Sequence, residues 1–379
     1  MQKKYKICFF LAGLVSGGLE NYLLRFVKYC PEDVDICVVA KLGIVGDLDS
    51  AYADCGARVV HLKQALFSFF DFLQLWKFLK EEKPDVVCDF SGNFGARSLF
   101  AAWLTGVRTR IASHRGASNH FQETPARLFI NALLNKAIEL FSTSIIANSY
   151  AALNFFHPKW KENAKKFHVI YNGMDLSLKR DDTLRACRRK ALKLPDAAFL
   201  VGHTGNLISG SGDVRSPKNH RTIIEVAVRL CHEHPDIYFV LCGKGVDTIY
   251  RERICRENLQ DRIILPGLCS PVTDYLCAMD AYYFPSISEG QPNALIEAMF
   301  CGLPIVASNI EPIQETIPPG LREELIPPCD IDSACEKILK LKNDSVYRQK
   351  MTCVEWSRNF FDPEKRYGEF LDVLRDQIR

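Results

Sequence analysis

Phe284-Pro-Ser-Ile-Ser-Glu-Gly-Gln-Pro-Asn-Ala-Leu-Ile-Glu-Ala-Met-Phe-Cys-Gly-Leu-Pro-Ile-Val-Ala-Ser308 carries the pattern on which the fold turns. Ala281 to Phe284 is a buried strand, Ser286 to Gln291 a polar loop at its carboxyl end, and Pro292 the expected first residue of a helix, where a missing N–H costs nothing. The helix amino terminus then stands at a strand's carboxyl edge, the side on which open α/β sheets bind ligands. The expected unpaired N–H groups of Asn293, Ala294 and Leu295, together with the positive dipole end, would favour a phosphate. Glu297 follows Asn293 by one turn, on the same face, inside the apolar run 294–300. A carboxylate there needs a partner.

Outward from this stretch the chain repeats strand and helix. In the first half, strands are expected at Ile7–Leu11, Asp35–Ala40, Arg58–His61, Val86–Asp89, Arg110–Ser113, Ser144–Ala147 and His168–Ile170. Helices are expected from Leu19, over Phe69–Glu82 and over Pro125–Phe141. The second half restarts with Phe199–His203, Ile237–Cys242, Ile263–Pro266 and Ala281–Phe284, with helices near Asn219–His232 and Val246–Asn258. Such alternation implies parallel sheets with right-handed crossovers. The expectation is an α/β protein of two doubly wound, Rossmann-like domains facing each other across a cleft: residues 1–171, a linker 172–198, a second domain 199–355, and a final helix 356–379 crossing back to the first.

At 379 residues the chain is too long for one core. Its 47% hydrophobic and 25% charged residues are ordinary for a soluble globular protein, and a net charge of +3 gives no reason to expect nucleic acid. Fifteen cysteines, with no C-x-x-C pair, sit singly in apolar segments. They read as reduced core residues in a cytoplasmic protein, and no spacing suits zinc. No run is apolar enough to span a bilayer. Residues 157–193 hold eleven Lys/Arg against four Asp/Glu; a solvated linker is the preferred reading, attraction to anionic headgroups or a pyrophosphate the other.

The constellation of Glu289 and Glu297, with Cys301 to Ser308 behind it, resembles the E-x7-E signature of family 4 glycosyltransferases, retaining enzymes of the GT-B fold that use nucleotide sugars. The resemblance extends over almost the whole chain and implies roles for its residues. Glu297 would accept from the donor ribose hydroxyls and Glu289 from hydroxyls of the transferred sugar, as a carboxylate facing a vicinal diol does well. Gly290, Gln291, Pro292, Asn293 and Ala294 would line the donor. Tyr171 to Asp175 is similar to the family's N-G-x-D hinge.

Arg215 and Lys218 stand where a second-domain helix should begin; two cations at a helix amino terminus imply an anion between them, here the donor diphosphate. Asn206 stands where the family usually carries an arginine and is counted among the donor-binding residues, with Arg215 expected to fold back to serve in the arginine's stead. Gly17 and Gly18, after the first strand, permit φ > 0 and close backbone approach to a phosphate. Beside the second-domain motifs they resemble the family's glycine loop. His114, at a strand end, matches a family histidine that orients hydroxyls of donor sugar and acceptor, with Arg115 on the acceptor side. Gly243 is expected to support the nucleotide by backbone contacts, and Leu268 lies where the resemblance places the base.

The function implied is transfer of a hexose or hexose derivative from a nucleotide sugar, taken as UDP-linked, to a hydroxyl of a saccharide or lipid-linked saccharide, with retention, in cell-surface polysaccharide or glycolipid assembly. No cofactor or metal is expected, because no site loop carries a D-x-D pair. The aromatic segment Leu66 to Leu79 has core packing as its default reading and peripheral contact with the inner membrane leaflet as the sharper one. A sugar-nucleotide 2-epimerase and a non-catalytic sugar-nucleotide-binding scaffold are the rival readings.

Overall fold

The computed structural model describes residues 5–15, 17–65, 68–117, 119, 124–207 and 216–375. The chain divides into two compact units, Met1–Gly173 with Pro363–Arg379, and Met174–Asp362.

In the first unit seven parallel strands, β1 (Tyr5–Leu11), β2 (Val34–Ala40), β3 (Arg58–His61), β4 (Val86–Asp89), β5 (Thr109–His114), β6 (Ser144–Ala147) and β7 (Phe167–Val169), lie in the order β3-β2-β1-β4-β5-β6-β7. β1 is buried on both faces, and the two-residue alternation of a strand divides it. Ile7, Phe9 and Leu11 enter one apolar cluster, Cys8 and Phe10 another. The first cluster is completed from the far end of the chain. Helix Pro363–Arg375 contributes Tyr367, Phe370, Leu371 and Leu374, with the Phe370 ring 4.6 Å from that of Phe26. Each such buried side chain is worth roughly 1.5–3 kcal/mol of transfer free energy.

The second unit holds five parallel strands, β8 (Phe199–Thr204), β9 (Ile237–Cys242), β10 (Ile263–Gly267), β11 (Ala281–Phe284) and β12 (Ile305–Ala307), ordered β10-β9-β8-β11-β12. The order reverses at β8, between β9 and β11, which makes the carboxyl ends of β8 and β11 a switch point.

Two boundaries differ from expectation. The segment 172–198 is not a free linker, since from Met174 onward it belongs to the second unit. Its helix, Asp182–Ala191, buries no residue but docks by charge: Arg185 and Arg189 pair with Asp280 at 2.6 and 3.0 Å, and Arg188 pairs with Asp274 at 2.7 Å. Three of the eleven cations are thus consumed internally. The final helix is two helices: Val354–Phe360 stays in the second unit and only Pro363–Arg375 returns to the first.

Candidate functional site

In the second unit the site rests on backbone packed closely enough to require glycine. Gly205 N–H donates to Cys242 O and Gly243 N–H to Gly267 O, both at 2.8 Å, joining the ends of β8, β9 and β10. A Cβ on Gly243 would lie 1.9 Å from Gly205 O. Asn206 belongs to this scaffold. Its side-chain oxygen accepts from Lys244 N–H at 2.8 Å, which fixes the Gly243-Lys-Gly245 turn.

The next stitch is Asn219, in the left-handed conformation (φ 57°), whose side-chain amide donates to Pro285 O and Pro328 O. Ile287 N–H donates to Pro217 O at 2.8 Å. These bonds tie the loop after β11 to the start of helix His220–Glu233, and the tie sets one contact. Lys218 Nζ lies 2.6 Å from Glu289 Oε1, with the side chains 24% and 9% exposed, and 5.0 Å above the Phe284 ring. The cation expected for a diphosphate and the first carboxylate of the E-x7-E pair therefore meet directly. Two buried histidines that sequence reasoning missed support them. His203 Nδ1 faces Tyr283 O, and His220 is held between Ser216 Oγ and Gly205 O, all at 3.0 Å. Burial depresses both, His220 to about 4, so both are neutral and add no charge beside Lys218.

The helix after the loop begins one residue later than expected. Asn293–Phe300 is helical and Pro292, with ψ 82°, caps it. Of the three N–H groups assigned to a phosphate, that of Asn293 donates to Gln291 O and that of Leu295 to Pro292 O, so of these three Ala294 alone finds no backbone acceptor among the described residues. Gly302, at φ 73°, closes the helix in a Schellman motif, with Gly302 N–H to Met299 O and Leu303 N–H to Ala298 O. Gly290, Gln291 and Pro292 are buried, while Asn293 and Glu297 are half-buried on the shared face. The Glu297 carboxylate adds to burial in holding the hydroxyl of Tyr282 protonated. Leu268 is largely exposed. Arg215 lies outside the described residues, so its substitution for an arginine at Asn206 stays an expectation.

In the first unit the glycine turn is not left-handed. Gly17 is extended (φ −148°) and caps helix Gly18–Tyr29, of which Gly18 is the first residue. A Cβ at 17 would meet only the end of the Glu20 side chain, which lies over the helix start and can turn aside. His114 ends β5, fully buried and stacked on Phe156 at 4.5 Å, its Nε2 3.0 Å from His157 Nε2. Arg115 is held internally. Its guanidinium stacks 3.9 Å above Tyr22 and hydrogen-bonds Asn172 and Ser113.

The aromatic segment divides. Leu75 and Leu79 are buried and Phe72 packs on Phe100 (5.7 Å), whereas Phe69 and Phe70 are exposed; Leu66 and Phe67 lie outside the described residues. A second apolar surface went unread. Helix Pro125–Phe141 buries only Ile138 and exposes Phe129 (65%), Leu133 and Leu140 (73%). Its signal was present, since apolar residues at 128–130, 132–134 and 137–138 exceed one helical face. Among the described residues no group of three His, Cys, Asp or Glu is arranged for a metal, and no helix is long and apolar enough to cross a membrane.

The chain is similar to known proteins in sequence and in fold. The profile "Glycosyltransferase Family 4" matches residues 16–178 and "Glycosyl transferases group 1" matches residues 205–344. The chain is 27% identical to a UDP-Gal:alpha-D-GlcNAc-diphosphoundecaprenol alpha-1,3-galactosyltransferase of Escherichia coli, over 97% of this chain and 96% of that one. It is 26% identical to the capsular polysaccharide biosynthesis glycosyltransferase CapH of Staphylococcus aureus, over 81% and 82% respectively. Among solved structures, Anabaena HepE in complex with UDP and glucose superposes with a TM-score of 0.80 at 19% identity, covering 98% of this chain and 99% of that one, a likeness of fold.

Proposed function

The chain belongs to glycosyltransferase family 4, and from that premise we propose that it transfers a hexose from a UDP-sugar, with retention and without a metal, to a hydroxyl of a lipid-diphosphate-linked saccharide. The observation that carries the reading is the Lys218–Glu289 contact at 2.6 Å. A carboxylate for sugar hydroxyls and a cation for the departing diphosphate stand together at the carboxyl ends of β8 and β11.

The step is a displacement on the face from which the leaving group departs. The bond from the anomeric carbon to the phosphate oxygen breaks, the bond from that carbon to the acceptor oxygen forms, and the acceptor proton passes to the departing phosphate oxygen. Lys218 and the Ala294 N–H stabilise the charge growing on the diphosphate, the kind of preorganised electrostatics that is usually the largest catalytic term. Glu297 holds the ribose and Glu289 orients the sugar. The E. coli relative's name supports the lipid-linked acceptor. So does the apolar surface of the first unit, Phe70 and Phe129 above all, which suits peripheral contact with the leaflet that carries such an acceptor.

Thermal stabilisation by UDP, GDP, ADP and CDP sugars, on the natural protein and on Glu297→Ala, tests the donor site. Ligand at one hundred times Kd adds about 2.7 kcal/mol. A UDP-specific shift lost in Glu297→Ala supports the reading, as does transfer that persists in EDTA. Binding without turnover on any lipid-diphosphate saccharide overturns it in favour of a binding subunit.

A further inference from the structure

Three side chains from separate elements of the first unit form a chain that the reaction so described does not use. Glu139 Oε1, on helix Pro125–Phe141, is 2.7 Å from His157 Nδ1, and His157 Nε2 is 3.0 Å from His114 Nε2. Both imidazoles are buried, His114 between Phe156 and His157 and His157 against Phe167. The remaining nitrogen, His114 Nδ1, is buried with no hydrogen-bond partner, and Gly92, at φ 56°, is the glycine beside it, a Cβ there lying 3.9 Å away.

Proton counting assigns the tautomers. Two imidazole nitrogens at 3.0 Å share one proton. The Glu139 carboxylate can only accept, so His157 carries its proton on Nδ1 and offers a lone pair at Nε2. His114 must then supply the proton from Nε2, which leaves its Nδ1 as an acceptor. Desolvation keeps both rings neutral, His114 at about 3 and His157 below its usual range although Glu139 opposes the shift. The remaining charge that bears on His157 is Lys166, whose Nζ donates to Glu139 O, and it discourages a further positive charge there.

We propose that Glu139 and His157 are positioning residues that hold His114 in the Nε2–H tautomer, so that Nδ1 is a fixed acceptor for a hydroxyl of the sugar substrates. The proposal rests on the reading that His114 meets substrate. A buried acceptor without a partner is costly. A hydroxyl donated on binding relieves that cost only if the ring cannot turn its proton outward. The relay prevents this, because His114 with its proton on Nδ1 would face His157 lone pair to lone pair. Protonating His157 inverts the polarity: Nε2–H of His157 then donates, and His114 turns from acceptor to donor.

The tautomers are read directly by nitrogen-15 NMR of the histidine-labelled full chain, assigned with His114→Gln and His157→Gln. The expected spectrum has His114 protonated on Nε2 and His157 on Nδ1; the opposite pair refutes the relay. Transfer from UDP-galactose to a synthetic N-acetylglucosaminyl diphosphate lipid supplies the second readout. His157→Phe is expected to lower kcat/KM about tenfold, and His157→Gln, whose side-chain oxygen can accept from His114, to recover most of that loss. The acid limb of the pH profile should move with Glu139→Leu. If His114→Gln transfers normally, His114 is not at the substrate and the premise fails. If His114→Gln is impaired while His157→Phe is not, the premise stands and the relay is refuted.

Discussion

Replacing Lys218 by methionine separates what this side chain does for the fold from what it does for the reaction. In the folded protein its Nζ lies 2.6 Å from Glu289 Oε1. Two unit charges at that distance, in an effective dielectric of about 20, attract by roughly 6 kcal/mol before desolvation is counted. The net coupling is much smaller, because a quarter-exposed lysine is screened: it should fall between the roughly 0–1 kcal/mol of surface pairs and the roughly 3–5 kcal/mol lost when a buried pair is broken. A double-mutant cycle of Lys218→Met and Glu289→Gln, read by urea denaturation, is therefore expected to give about 1–2 kcal/mol. On the proposed function Lys218 would have a different partner in transfer. The diphosphate would take the cation from Glu289, and losing one such stabilising group would cost about 2.7–4 kcal/mol, or 100- to 1,000-fold in turnover. Steady-state kinetics should show this fall in Lys218→Met, with weakened UDP binding by calorimetry. Turnover within tenfold of the natural protein, with undiminished UDP affinity, would refute the assignment of Lys218 to the diphosphate, whatever the stability cycle shows.

Gly243→Ala should destabilise the second unit by about 1–3 kcal/mol, visible as an earlier denaturation midpoint, because the new Cβ would stand 1.9 Å from the carbonyl oxygen of Gly205. Glu324 accepts from Lys337, Lys350 and Tyr347, which hold its carboxyl down at about 2. A depressed carboxylate stabilises the fold above its unfolded value near 4.5 and loses that contribution as pH falls toward 2. Stability should decline across that window in the natural protein and lose this component in Glu324→Gln. Phe70→Ser combined with Phe129→Ser should reduce flotation with liposomes of anionic lipid while leaving UDP binding intact; unchanged flotation would remove these rings from the membrane contact.

Strands were legible because parallel sheets bury both faces of each strand, and runs such as Ile237–Cys242 have no helical alternative of sufficient length. Glu289 and Glu297 were legible because their loop and helix are contiguous. What failed has physical causes. Asp182–Ala191 looked like a linker because its docking surface is ionic, Arg185 and Arg189 finding Asp280 more than ninety residues away. Pro292 was placed a residue inside its helix because proline constrains φ and not ψ. The glycine at 17 suggested positive φ, whereas it is extended and caps its helix. Asn206, expected to bind the donor where the family pattern puts an arginine, holds a neighbouring turn. His157 and Glu139 carry no local motif, and only the fold brings them to His114.

The return of Pro363–Arg375 to the first unit governs the order in which the chain can be finished during synthesis. Phe9 and Phe26 leave the ribosome early, yet the cluster they occupy lacks Tyr367, Phe370, Leu371 and Leu374 until the last helix appears. At about 5–20 residues per second the second unit, 174–362, is made in roughly 10–40 seconds, long enough for it to fold while its predecessor waits with an open apolar face. The half translated first is thus completed last, and in that interval it is the part of the chain with most need of a chaperone.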